Sequence, residues 1–153
     1  MTGNTNYRRV VTGLDTEGKS CVIFDGEIPD PGGNGVGIVW RTSNLPADNS
    51  RNDDAADQPF SFELMHAGGS LVSVIEYPPG ISTFMHATDT IDYIVVLRGE
   101  VVLALEKGEV TCGPGTIIVD RGVVHAWRND GQETAAIAVI VLPAHPVGKG
   151  RTV

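Results

Sequence analysis

Short apolar runs of Val, Ile and Leu, broken at close intervals by Gly, Pro and polar residues, fill this chain. Apolar and polar positions alternate with period two, which predicts β-strands. The strands expected are Arg8–Val11, Ser20–Phe24, Val36–Arg41, Phe60–Met65, Leu71–Tyr77, Ser82–His86, Ile91–Arg98, Val101–Glu106, Val110–Cys112, Thr116–Val119, Val123–Arg128 and Thr134–Leu142. Turn chemistry marks several joints. Ala67-Gly68-Gly69 and Lys107-Gly108 suit hairpins, and Pro79-Gly80 and Pro114-Gly115 suit type II turns. No segment carries a sustained apolar stripe at helical spacing, so the pattern predicts an all-β sandwich or barrel.

The runs are unevenly spread. Residues 60–153 hold the dense strands, the expected barrel, and a tail from Pro143 that reads as extended or frayed. Residues 1–59 hold looser strands and the polar stretch 42–59, and this part is expected to pack on the barrel or on a partner subunit. The polar stretch reads first as a solvated loop, with a lid over the barrel mouth as the functional alternative.

A length of 153 residues suits one domain with its own core. The formal net charge of −8 argues against nucleic acid or an anionic membrane as partner. No run is apolar enough for a membrane helix, and no long apolar region follows Arg8 and Arg9, so the chain reads as lacking a signal peptide and as cytoplasmic. Cys21 and Cys112 lie far apart and read as free thiols.

Residues 13–20, GLDTEGKS, match the phosphate-loop pattern letter for letter. That chemistry needs a helix opening at the Lys, so that backbone N–H groups converge on phosphate. Here Lys19 is followed by the β-prone run Ser-Cys-Val-Ile-Phe. A hairpin turn explains the match, and the nucleotide reading is rejected.

The informative stretches are residues 80–99, from Gly80 through His86 and Asp92 to Gly99, and residues 115–129, from Gly115 through His125 to Asn129. Side chains alternate along a strand, so Phe84, His86 and Thr88 share one face, as do His125, Trp127 and Asn129. Two histidines and an acid on neighbouring strands of a barrel can then converge inside it.

These residues resemble the cupin superfamily. Its first motif is matched by Gly80, His86, Thr88 in place of a second His, Asp92 in place of Glu, and Gly99; its second by Gly122, His125 and, one residue late, Asn129. Asp120 stands where that motif often has proline. The resemblance spans Leu71 to Val141. It implies an all-β fold, the cupin double-stranded β-helix (jelly-roll barrel) with extra N-terminal strands, and often a homodimer. The HAWRN and TDTIDY runs are similar to small single-domain cupins, some of them associated with polyketide or aromatic metabolism.

The resemblance also implies a divalent metal (Fe, Zn or Mn), with His86, Asp92 and His125 as the ligands that remain. Thr88 removes one imidazole, and Asp92 is shorter than Glu by one methylene, about 1.5 Å of reach. Two readings stand at this point. The preferred one is a metal-dependent enzyme acting on a small organic substrate by decarboxylation, dehydration, isomerisation or oxygenation. The other keeps His86, Asp92 and His125 as acid–base groups without metal, or as the wall of a non-catalytic binding pocket. Thr88, Trp127 and Phe84 are the expected substrate contacts. Trp127 can stack on a planar molecule or fill the barrel, and Phe84 also reads as core. Tyr93 reads as packing, Arg98 as exposed, His66 as a solvated hairpin residue and His145 as a tail residue outside any site.

Overall fold

The computed structural model describes residues 7–56 and 58–153; residues 1–6, where the leader reading begins, and Asp57 lie outside the described residues. In chain order the elements are β1 (Arg8–Leu14), β2 (Ser20–Glu27), β3 (Val36–Thr42), α1 (Phe62–Met65), β4 (Ser70–Tyr77), β5 (Thr90–Arg98), β6 (Val101–Leu105), β7 (Glu109–Cys112), β8 (Ile117–Asp120), β9 (His125–Arg128) and β10 (Ala135–Pro143). They form a five-stranded sheet in the order β3-β4-β10-β5-β8, a three-stranded sheet β7-β6-β9, and the separate hairpin β1-β2. Every pairing is antiparallel, and together they build the double-stranded β-helix.

Alternation decides which residues enter the barrel. On β5, Thr90, Asp92, Ile94 and Val96 are buried while Tyr93 and Leu97 face outward. On β10 the inward set is Ile137, Val139 and Val141, with Ile140 exposed. Ile38, Leu71, Ile94, Val96, Val101 and Ile137 are all almost wholly buried and make the dry centre. Fully burying such side chains contributes about 1.5–3 kcal/mol each.

Two of the expected strands take another form. Phe60–Met65 contains a single helical turn, α1, which sets Phe62 and Met65 three residues apart on one side, and both line the barrel cavity. Residues 82–86 run beside β9 but bridge it only at Ser82↔Arg128 and His86↔His125. Between those points the backbone N–H of Trp127 donates to Thr83 Oγ1 at 2.8 Å, so a side chain supplies the acceptor.

The amino-terminal part is tied in. β3 pairs with β4 inside the five-stranded sheet, across the 59/60 division. The polar stretch is held against the β1-β2 hairpin rather than floating free. Asn52 Nδ2 donates to Leu14 O at 2.9 Å, Arg9 pairs with Asp54, and Ala56 is fully buried. It closes over the hairpin, not over the barrel mouth. The GLDTEGKS run is the hairpin turn itself: Asp15 Oδ1 accepts from the N–H groups of Glu17 (2.8 Å) and Lys19 (2.9 Å), and β2 begins at Ser20. Among the described residues no helix is long and apolar enough to cross a membrane.

Candidate functional site

A cavity of about 370 Å³ opens between the five-stranded sheet and β9 with its neighbouring segment. That volume suits a small organic ligand. Phe60, Phe62, Tyr77, Phe84 and Trp127 give it aromatic walls, and Ile94, Ile137, Val139 and Val141 give it an aliphatic floor. His86, Asp92 and His125 all line the same cavity.

His86 and His125 are placed by backbone. They exchange two hydrogen bonds, His86 N–H to His125 O and His125 N–H to His86 O, both 2.9 Å. Their ring centroids are 4.6 Å apart. His86 Nδ1 lies 2.9 Å from Phe84 O and His125 Nδ1 lies 2.8 Å from Val123 O. A carbonyl only accepts, so each Nδ1 carries the proton of its neutral ring, and each Nε2 is left with a lone pair. Burial, more than any other influence, pushes His86 below the ordinary histidine range, with the neighbouring His125 acting in the same direction.

Asp92 is buried on β5, where Thr90 Oγ1 donates to its Oδ1 at 2.7 Å. Removal from water pushes its carboxyl up to about 6, against the Thr90 hydrogen bond, which lowers it, and with the help of Asp120, which raises it. Asp120 was not a sequence candidate. It is the last residue of β8, directly opposite Asp92 in register, and its side chain is only 2% exposed. Its Oδ1 accepts from Gly122 N–H at 3.0 Å. Its Oδ2 lies 3.1 Å from His125 Nδ1 but completes no hydrogen bond, because that N–H is aimed at Val123 O. Its sequence signal was an acid where the second motif often has proline, two residues before a motif glycine.

Gly122 shapes this corner. Its φ is +76°, and a Cβ there would stand 2.3 Å from Thr88 O. Only glycine lets the turn from Asp120 to His125 pack against the 88–90 backbone.

The expected substrate contacts divide. Trp127 lines the cavity and stacks on Tyr77, with ring centroids 6.2 Å apart and planes at 26°. Phe84 also lines it, but at 59% exposure it is a rim residue and not core; it meets Phe62 edge-on at 6.1 Å. Thr88 does not reach the cavity. It is 1% exposed, and its hydroxyl is turned to Thr90 Oγ1 at 2.7 Å. Asn129, on the expected face of His125, is buried away from the cavity and bonds the carbonyls of Tyr77 and Glu133. Tyr93 is partly exposed, and Arg98 pairs with Glu76.

The segment carrying His86 is braced from two sides. His66 is not a solvated hairpin residue: its Nδ1 bonds Phe62 O at 3.1 Å and its Nε2 accepts from Asp89 N–H at 3.2 Å. The tail is not frayed here either. Thr152 N–H donates to Ala87 O and Thr152 Oγ1 accepts from Ala87 N–H, each at 2.9 Å, while Arg151 N–H donates to Asp89 Oδ1 at 2.8 Å. His145 is exposed and does not line the cavity.

The metal set fits less well than its spacing suggested. Among the described residues no three His, Cys, Asp or Glu side chains are placed to hold one ion. Thr88 offers nothing toward the histidine pair, and one oxygen of the short Asp92 side chain is held by Thr90. The donors His86, Asp92 and His125 share a cavity without forming a closed ligand set.

The fold and site thus define a small β-helical barrel with a histidine-walled, aromatic cavity. The cupin domain model matches residues 73–141, and the chain belongs to the cupin family. Over 152 residues it is 30% identical to phomopsin biosynthesis cluster protein D of Diaporthe leptostromiformis, covering 91% of this chain and 79% of that protein. It is 31% identical over 146 residues to oryzines biosynthesis cluster protein J of Aspergillus oryzae, covering 81% and 76%. It is also 29% identical over 138 residues to the cupin-domain-containing oxidoreductase fogC of Aspergillus ruber, covering 84% and 67%.

Proposed function

We propose that the chain is an enzyme acting on a flat, largely apolar small molecule that carries a carbonyl oxygen, and that it works by acid–base chemistry. One arrangement carries the reading: paired imidazoles and a buried carboxyl of raised basicity facing an aromatic-walled cavity. A carboxyl near 6 is ionised at neutral pH, yet is a stronger base than an ordinary Asp. In this reading Asp92 takes the proton from the carbon next to the carbonyl. The C–H electron pair moves into a new C=C bond, and the carbonyl oxygen takes a proton from Nε2 of His125 in its imidazolium form. His86, neutral, accepts a hydrogen bond from a substrate hydroxyl. Trp127 and Tyr77 stack on the ring, and Phe84 covers the mouth. The resulting enol supports isomerisation, dehydration or decarboxylation, according to the group the substrate carries. Relatives named for the phomopsin and oryzines clusters support a biosynthetic role.

The name of the Aspergillus ruber relative favours a second reading, oxidoreduction. On a bound iron, zinc or manganese ion it would need ligands beyond those His86, Asp92 and His125 jointly present as placed.

The test is solvent exchange. The protein is incubated with hydroxyacetophenones in deuterium oxide, with and without EDTA, and loss of the methyl-ketone proton signal is followed by NMR. Exchange that EDTA leaves intact is the expected result. No catalysed exchange on any of these probes would remove the acid–base reading, and exchange that returns only with added Fe, Zn or Mn would replace it with the metal-dependent one.

We also propose a homodimer that uses the β1-β2 hairpin. Its outer face exposes Val10, Leu14 and Val22, an apolar strand surface of the kind that assembly covers. Light scattering at high protein concentration should give twice the 16.2 kDa chain mass. A monomer mass would exclude it.

A further inference from the structure

We propose that Ser73 is a specificity-determining residue: its hydroxyl binds a second polar group, a hydroxyl or a carbonyl, at the edge of the ligand turned away from Asp92. The inference rests on the reading of the cavity as the substrate site. It narrows the substrate class to a planar molecule that is polar at two opposite edges and uncharged at the Ser73 edge.

Ser73 lies on β4 and shares its inward face with Ile75 and Tyr77, and all three line the cavity. In register it stands between Ile38 of β3 and Val139 of β10, so neither flanking side chain offers it a polar partner. It is 2% exposed, and among the described residues its hydroxyl meets no hydrogen-bond partner. A buried hydroxyl without a partner is unfavourable, and an alanine would serve the fold at this position at least as well. The cavity is where that hydroxyl finds a partner, on a ligand. Of the other hydroxyls on the wall, Thr83 Oγ1 accepts from Trp127 N–H, and Tyr77, also without a partner, stacks on Trp127.

The position of Ser73 sets the shape of the ligand. The sheet runs β4-β10-β5, so two strand spacings, about 10 Å, separate the backbone of Ser73 from that of β5. Val139 and Ile94 fill the rung between, and Asp92 lies two residues from Ile94 on the same face. His125 lies farther in the same direction, beside Asp120 of β8. A fused bicyclic ring laid across Val139 and Ile94 turns one edge to Asp92 and the other to Ser73. Among the described residues lining the cavity there is no Lys or Arg, and the acid Glu76 also reaches the wall. A carboxylate at the Ser73 edge would be buried without a countercharge, whereas a phenol or a ketone needs only the hydroxyl.

The experiment is calorimetric binding to the protein as purified, at pH 7, on wild type, Ser73→Ala and Tyr77→Phe. The probes are 2-acetylnaphthalene, 6-acetyl-2-naphthol and 6-acetyl-2-naphthoate. In wild type the naphthol should bind about threefold to tenfold more tightly than 2-acetylnaphthalene, the worth of one neutral hydrogen bond. The naphthoate should bind more weakly than either. Ser73→Ala should erase the advantage of the naphthol, a difference between two probes that altered packing alone would not produce. Tyr77→Phe, whatever its effect on stacking, should keep that ratio. The proposal is overturned by equal affinity for the naphthol and 2-acetylnaphthalene in wild type, or by an advantage that survives Ser73→Ala or vanishes in Tyr77→Phe. Naphthoate binding as tight as that of the naphthol, or no binding of any probe, overturns it too. Should Ser73→Ala fail to fold, Ser73→Cys, close in size and a weaker donor, replaces it with the same expected loss. Turnover is not read, so a failed exchange test would strike the acid–base reading and leave these affinities as they are.

Discussion

Asp92→Asn is expected to stabilise the protein at pH 8 while abolishing its turnover. The folded-state carboxyl is raised from 3.8 to about 6, chiefly by burial. Well below pH 3.8 the group is protonated in both the folded and the unfolded chain, and it contributes no pH-dependent term. Between about 4 and 6 the unfolded chain releases its proton first, so the unfolded state binds fewer protons and stability falls as pH rises. Above 6 both states are ionised, and the full cost of burying the charge is present. A shift of about two units corresponds to about 3 kcal/mol. Asn is neutral throughout, and its amide oxygen can still accept from Thr90 Oγ1. The variant should therefore gain about 2–3 kcal/mol at pH 8 and only about 0.5 kcal/mol at pH 4, measured by urea denaturation against wild type at each pH. In melting temperature the gain at pH 8 is roughly 5–10 °C for a chain of this size. Equal effects at the two pH values would show that Asp92 is not buried as a costly charge.

The second large effect separates the two histidines. His125→Gln removes the proton donor, and on a substrate that exchanges its α-proton the rate should fall by about 10² to 10⁴ in kcat. His86→Gln removes a hydrogen-bond acceptor that orients substrate, so the loss should appear mainly in KM and amount to about tenfold. The two rings pack on different neighbours, His86 on Phe62 and Phe84 and His125 on Trp127, so the melting temperature of each variant is measured beside its kinetics to separate lost packing from lost chemistry. Equal losses in kcat would mean that the rings act as one unit, and a larger loss for His86→Gln would reverse the roles. Steady-state kinetics on wild type and both variants decides among these.

Much of the barrel was legible because strand alternation is local. The apolar runs from Leu71 to Tyr77 and from Ile91 to Arg98 became β4 and β5 with ends moved by a residue. The phase that buries Ile94 and Val96 also carries Asp92 inward. Phe60–Met65 misled for a physical reason. Its apolar residues fit a strand of period two, but Phe62 and Met65 also fit one helical turn, and packing against the cavity selected the turn. Thr88 shared a strand face with His86 on paper. The chain between them leaves the strand, with His66 and Thr152 holding it, and the hydroxyl turns to Thr90 instead. Asp120 stood in the sequence only as a departure from the motif's usual proline, because its significance depends on β8 lying against β5 and on the Gly122 turn that returns the chain to His125.

The sequence by itself determined the all-β architecture, the turns that divide it and the presence of His86, Asp92 and His125 in two ordered motifs. These follow from rules that act over a few residues: alternating Cβ directions, glycine at positive φ and the shortage of helical periodicity. Only the tertiary structure decided which atoms meet. It set the two imidazoles side by side through a backbone bridge, committed Asp92 to Thr90, and placed an unpaired carboxylate behind one ring and not the other. Those outcomes depend on pairing between strands far apart in the chain and on competition for a few buried hydrogen bonds, and the spacing of residues along the chain encodes neither.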